Sequence, residues 1–265
     1  MNQSQIYVGF NSRFSQSLTF FSNYTLGYAN NDTDGQGARN FPLNSHDLHG
    51  EYGRSSTDVR HRFAFGGTWI SPWWGLTLNP FILASSGVPF NIITGVDSNL
   101  DGQFMERPSF APAGVACDGP AKPANIVCTP FGNFNVQPAD GEEVIPRNFG
   151  HSPAYFIVNL SLSKTFSFGS FPSKNSAASS TQKPGGSGVR PAAVAEPKRF
   201  SLQFTITAQN LFNRVNFQPP EGNLSSPSFG QSLGLNGFGG LSAPGTIGSI
   251  GAGNRRIIVR ARFTF

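Results

Sequence analysis

The last eleven residues of the chain, Arg255 to Phe265, read RRIIVRARFTF. Ile257, Val259, Ala261, Phe263 and Phe265 share one parity; Arg256, Ile258, Arg260, Arg262 and Thr264 share the other. Successive side chains of a strand point to opposite faces, so this segment predicts a strand with one apolar face and one face carrying three arginines. The apolar parity runs to a terminal phenylalanine with no polar tail after it.

The same two-residue period recurs upstream. Phe14, Leu18, Phe20, Tyr24, Leu26 and Tyr28 alternate with mainly small or polar residues, as do Phe63, Phe65 and Trp69, and Leu76, Leu78, Ile82 and Ala84. Tyr155 to Phe168 sets Phe156, Val158, Leu160, Leu162, Phe166 and Phe168 against Asn159, Ser161, Ser163, Thr165 and Ser167. Lys164 lies on the apolar parity, where its amine could reach past the apolar surface to water. Arg199 to Asn210 alternates Phe200, Leu202, Phe204, Ile206 and Ala208 with Ser, Gln and Thr. With a short run at Ile6, Val8 and Phe10, about seven strands are expected.

Composition supports β-structure. Only 12% of residues are charged, about half the usual share. The 26 phenylalanines, 31 glycines and 20 prolines favour strands joined by long irregular connections over helices. The net charge of +5 is dispersed along the chain, which speaks against a nucleic-acid partner. No apolar run reaches the roughly 18 residues of a membrane-spanning helix. The start, MNQSQIYVGFNSR, does not read as a signal peptide.

Apolar residues facing small polar ones, with few charges on either side, are expected of a transmembrane β-barrel with lipid outside and a polar interior. Loop lengths agree. With the C-terminus at the periplasmic side, the outward connections Asn30–Asp58, Ser86–Pro153 and Asn213–Gly253 are long, while inward turns near Ser12 and at Ser71–Gly75 are short. Trp73 and Trp74 in that second turn suit an interfacial aromatic girdle or, alternatively, a lid on a soluble core. The Ser-, Ala-, Pro- and Gly-rich stretch 171–197 breaks the length rule and is expected to be a flexible insert.

The closing strand with its terminal Phe265 resembles the C-terminal signature of bacterial outer-membrane barrels. Gln209-Asn210-Leu211-Phe212-Asn213-Arg214-Val215-Asn216-Phe217 resembles the penultimate-strand signature of TonB-dependent outer-membrane receptors. Asp58-Val59-Arg60-His61-Arg62-Phe63, Ser85-Ser86-Gly87-Val88-Pro89-Phe90, Gly95 to Gly102 and Arg107-Pro108 are similar to motifs of the Oar-like branch of that family. The resemblance implies energy-coupled uptake through a barrel of about 22 strands that holds a plug and is driven by the TonB complex. It also implies recognition of Phe265 by the barrel-assembly machinery. Seven strands do not close such a barrel, and unpaired strand edges are not tolerated in lipid. Residues 1–265 are therefore expected to be a partial barrel domain, the C-terminal part of a larger barrel, without its plug and not transport-competent alone. An adhesive surface protein binding partners through its long loops is the main alternative, and a soluble carbohydrate-binding β-sandwich the third reading.

Few residues point to site chemistry. Asp97, Asn99 and Asp101, followed by Gly102, repeat the ligand spacing of the first half of a calcium loop. The twelfth position is Pro108 rather than Glu, so Glu106 could serve only through a different geometry, and an Asx-rich turn gives the same spacing without a metal. Cys117 and Cys128 form a loop disulfide in an oxidising compartment, worth roughly 3 kcal/mol, or stay as two free thiols. His46 and His49 lack ligand-spaced partners, and Asp140, Glu142 and Glu143 read as a solvated cluster. No nucleophile elbow, phosphate loop or zinc-protease helix is present, so no enzyme activity is expected and no cofactor beyond the calcium.

Overall fold

A computed structural model of the chain describes residues 1–34, 41–44, 47–139, 141–170, 198–236 and 253–265. The 171–197 insert, His46 and Asp140 lie outside them. In chain order the strands are β1 (Asn2–Arg13), β2 (Leu18–Asn31), β3 (Gly53–Arg54), β4 (His61–Ile70), β5 (Leu76–Ser85), β6 (Pro89–Phe90) and β7 (Ser109–Phe110). They continue with β8 (Ile126–Thr129), β9 (Gly132–Asn135), β10 (Gly150–His151), β11 (Tyr155–Ser170), β12 (Lys198–Gln209) and β13 (Arg256–Thr264).

The seven long strands form one antiparallel sheet in the order β1-β2-β4-β5-β11-β12-β13, with β3 added to β2. Each long strand pairs with the long strands before and after it, an up-and-down arrangement in which short turns alternate with long connections until the insert after β11. β1 and β13 are the two ends of the path. Register aligns the apolar parities of every strand. Leu26 faces Ile6, Tyr24 faces Phe63, Phe65 faces Ile82, Ile82 faces Val158, Leu162 faces Ile206 and Ile206 faces Val259. One continuous apolar face results, as a period of two requires once register is fixed.

Burial is distributed the opposite way from a water-soluble sheet. On the apolar face Val259 is 69% exposed and Ile206 48%, while on the opposite face Ile157 is 1% exposed. The apolar side chains from Phe200 to Ala208, none of them buried, span roughly 27 Å along the strand, enough to cross most of a hydrocarbon layer at barrel tilt. Aromatics crowd the short-turn end of this face. Phe168, Phe200, Phe263 and Phe265 form a chain of rings with centroids 5.8 to 6.0 Å apart from Phe168 to Phe200, Phe200 to Phe263 and Phe263 to Phe265. Phe14, Trp73 and Trp74 stand exposed in the two short turns at the same end. The Lys164 amine lies over the Phe166 ring and close to Gly75 in the second turn, so the one cation on the apolar parity of β11 reaches the sheet's rim.

The first turn differs from the sequence expectation. It spans Phe14 to Ser17, because Ser15 donates its N–H to the Leu18 carbonyl and its hydroxyl accepts from the Ser17 N–H, and β1 runs through Ser12. The inner face is also less uniformly polar than expected. Leu83, Tyr155 and Ile157 are buried there and pack with Ala64 and Phe81. Nearer the short turns the inner face is polar, with the Ser161 and Thr207 hydroxyls 2.9 Å apart.

The long connections are largely irregular, with strands of only two to four residues, but they are packed. Phe90, Ile92, Phe134 and Ile145 form a second core, with Phe131, Phe149, Leu224 and Phe229 packed against it. This core draws on the loops 86–153 and 213–236 together, so the outward loops fold into one cap at the end of the sheet.

Candidate functional site

The cap is where the motifs singled out in the sequence come together, and each has a local physical reason. Asp58 is buried beside the end of β2. Its Oδ1 accepts the Ala29 N–H at 3.0 Å, and its Oδ2 accepts Arg54 Nε at 2.9 Å and an Arg60 guanidinium N–H at 3.0 Å. The carboxylate thus fixes loop 41–58 to the strand beneath it. Arg60 also lies over the Tyr28 ring, 3.8 Å from its centroid.

Gly87 and Phe90 anchor the second loop. A side chain at Gly87 would collide with the Ser152 carbonyl oxygen, and Phe90 sits in the cap core. Arg107 reaches across to Glu51 of the preceding loop at 2.8 Å, with both side chains buried. Arg147 reaches Asp34 in the same way, also at 2.8 Å. Burial alone would raise the Asp34 carboxyl. Hydrogen bonds from Asn148, Asn31 and the Ser56 N–H, with the Arg147 charge, outweigh it and hold the group below its ordinary value.

Asn210, Leu211, Phe212 and Asn213 end β12 as a clasp. Asn210 adopts φ 50° and Asn213 φ 54°, in the left-handed region that asparagine tolerates. The Asn210 side chain accepts the Arg214 N–H at 3.0 Å and donates to the Arg214 and Gly253 carbonyls. The Asn210 N–H in turn donates to Asn159 Oδ1 of β11 at 2.9 Å. Asn213 Oδ1 accepts the Arg255 N–H at 2.7 Å, setting the entry to β13. The Leu211 N–H donates to the Val158 carbonyl at 2.7 Å, and Phe212 stacks on Phe156 with ring planes 9° apart. Phe265 is 91% exposed at the far end of β13. These residues order strand ends and do not gather around a cavity.

A cleft of about 550 Å³ opens in the cap, lined by Asn30, Arg54, Phe131, Arg147, Asn148 and His151 among others. An Arg54 guanidinium nitrogen lies 2.9 Å from His151 Nδ1. Burial, then the charges of Arg54 and Arg60, push the His151 pKa down, which favours the neutral ring that can accept from the guanidinium. His61 pairs instead with the Tyr24 hydroxyl at 2.8 Å.

Cys117 and Cys128 are bonded to each other, with Cα atoms 5.8 Å apart, and close the segment leading into the β8–β9 hairpin. Glu142 accepts the Ala139 N–H at 2.8 Å on the cap surface. Arg256, Arg260 and Arg262 face inward by register, opposite Gln209, Thr205 and Gln203, and form no ion pair among the described residues.

The segment Asp97–Gln103 folds back on itself. Asp97 accepts the Asp101 and Gly102 N–H groups at 3.1 and 2.9 Å, and Asp101 accepts the Gln103 N–H at 2.8 Å. Asn99 links this turn to the preceding loop: its Oδ1 accepts the same Asp101 N–H at 3.0 Å, and its Nδ2 donates to the Leu43 carbonyl at 3.0 Å. The third carboxylate beside Asp97 and Asp101 is that of Glu106.

An antiparallel sheet with an exposed apolar face, aromatic residues at its rim, short turns at one end and a folded loop cap at the other defines an outer-membrane β-barrel protein. A family model described as an outer membrane beta barrel domain matches residues 2–172, and the chain belongs to that family. It is accordingly a protein of the bacterial outer membrane, and the exposed face of the sheet is its transmembrane surface. No curated protein and no solved structure matches the chain.

Proposed function

We propose that this chain is the C-terminal barrel portion of a TonB-dependent receptor of the Oar-like branch, serving uptake of a substrate through the outer membrane. The observation that carries this reading is the clasp at the end of β12. Asn210-Leu211-Phe212-Asn213 occupies the penultimate strand's end, and Asn213 receives the N–H of Arg255 at the start of the closing strand. That is the structural setting in which the receptor family's signature is found. The free edges of β1 and β13 support it further. Each edge of a sheet in lipid needs a partner, and further strands of a larger barrel would supply it; the plug is what the family resemblance adds. The inward arginines of β13 then face that plug, and the cap cleft is a first contact for substrate. On this reading Phe265 is the cue for the barrel-assembly machinery, and TonB acts only through the plug.

The test is to extend the reading frame upstream and measure binding of its whole product to the purified periplasmic domain of TonB. In-frame plug sequence with saturable binding is the expected result. A product with neither supports the second reading, a surface protein that binds partners through its loops. The exposure of Leu48, Leu100 and Phe104 at the cap favours that alternative.

A further inference from the structure

We infer that Asp97, Asp101 and Glu106 form a calcium site that ties two outward loops of the cap together. The three residues place one carboxylate oxygen each within 4.8 Å of the others. Two oxygens on opposite sides of one calcium ion, at about 2.4 Å each, are about 4.8 Å apart, so a single ion reaches all three. An all-carboxylate donor set selects a hard cation over zinc or copper. Asp97 and Asp101 are partly open to solvent, which leaves room for the waters that complete six to eight ligands.

An independent observation comes from Glu106. The residue is only 6% exposed, and its Oε2 has no hydrogen-bond partner. Its Oε1 is already engaged by the Ser98 N–H at 2.9 Å, so the side chain is held in place rather than free to turn to water. Asp101 Oδ2 is likewise buried and without a partner. Buried carboxylate oxygens beside other carboxylates, with no donor between them, are strongly unfavourable unless a cation satisfies them. The unsatisfied oxygens and the converging carboxylates therefore have one common explanation.

The site is placed to act on the whole cap. Asn99, between the two aspartates, holds the Leu43 carbonyl of the preceding loop. Arg107, next to Glu106, pairs with Glu51 of that same loop. An ion bound by Asp97, Asp101 and Glu106 fixes both contacts at once. Magnesium, which demands shorter bonds in a strict octahedron, fits the spread of the three oxygens less well.

The experiment is calorimetric titration of calcium chloride into the full chain purified in detergent micelles, alongside proteolysis of the cap with and without the ion. One site is expected, with a dissociation constant between about 0.1 and 1 mM, as in extracellular calcium modules. Asp101→Asn and Glu106→Gln each weaken it at least tenfold, by loss of a charged ligand, while Asp118→Asn leaves it unchanged. Asp97→Asn, at a partly exposed position, gives the same loss, and unchanged protection of the sheet in the absence of calcium shows that each variant is folded. Calcium slows cleavage of loop 86–153, and magnesium at equal concentration does so less. No calcium heat from folded protein up to about 10 mM overturns the site, because extracellular sites saturate below that. So does calcium binding that all three variants retain, which places the ion elsewhere, or protection by magnesium equal to that by calcium.

Discussion

Asn216 pairs with the backbone of Phe156 as a neighbouring strand would. Its Oδ1 accepts the Phe156 N–H at 2.9 Å, and its Nδ2 donates to the Phe156 carbonyl at 3.1 Å. A side-chain amide thus continues the ladder past the end of β12 and satisfies both polar groups at the second residue of β11. Asn216→Ala leaves both groups without that partner at a buried position. The expected cost is about 1–3 kcal/mol, read as faster hydrogen exchange at Phe156. Asn216→Asp keeps the acceptor but buries a carboxylate against the Phe156 carbonyl, so it costs at least as much as alanine.

Asp34 and Arg147 make the cap sensitive to acid. The Asp34 carboxyl is held below its ordinary value of 3.8, so the folded cap binds this proton less readily than the open cap. Its contribution is fully present above 3.8 and is lost as pH falls through the lower value of the folded state. Proteolysis of the cap with an acid-stable protease is expected to accelerate as pH falls below about 4, with the strands of the sheet staying protected. Arg147→Met removes this charge partner of the buried Asp34 carboxylate. About 3 kcal/mol of cap stability is expected to be lost, measured by the same protection at neutral pH.

Gly66 lies under an aromatic ring on the inner face. A Cβ there would stand 2.6 Å from two Phe21 ring carbons and 3.4 Å from Phe81. Gly66→Ala forces Phe21 off its seat, at a cost of about 1–3 kcal/mol. Its readout is a lower temperature for the mobility shift of the detergent-folded protein on electrophoresis.

Strand parity was readable because a period of two survives in every long strand: Phe200, Leu202, Phe204, Ile206 and Ala208 share one face as read. Tyr155, Ile157 and Leu83 were not readable as a packed patch. They sit on the polar parity, and only the register of β5 with β11 brings Leu83 and Ile157 opposite each other. The cap core was hidden for a different reason. Phe90 with Ile92, Phe134 and Ile145 come from three places far apart in the chain, with no sustained period to reveal them. The spacing of Asp97 and Asp101 did point to converging carboxylates. It could not show that Glu106 joins them, because the contact that brings Glu106 to the turn, from the Ser98 N–H, spans eight residues of irregular chain. The asparagine signature was visible as a pattern. Its role as a clasp depends on contacts to β11 and to the start of β13, which lie far away in sequence.

The central claim is that the apolar face meets lipid and the opposite face does not. Spin labels placed singly from Phe204 to Ala208 in β12, in the protein reconstituted into bilayers, test it by collision with oxygen and with a polar nickel complex. At Phe204, Ile206 and Ala208 oxygen access is predicted to be high and nickel access low, with the ratio falling at Thr205 and Thr207. A ratio that does not alternate along β12, or that peaks at Thr205 and Thr207, contradicts the account.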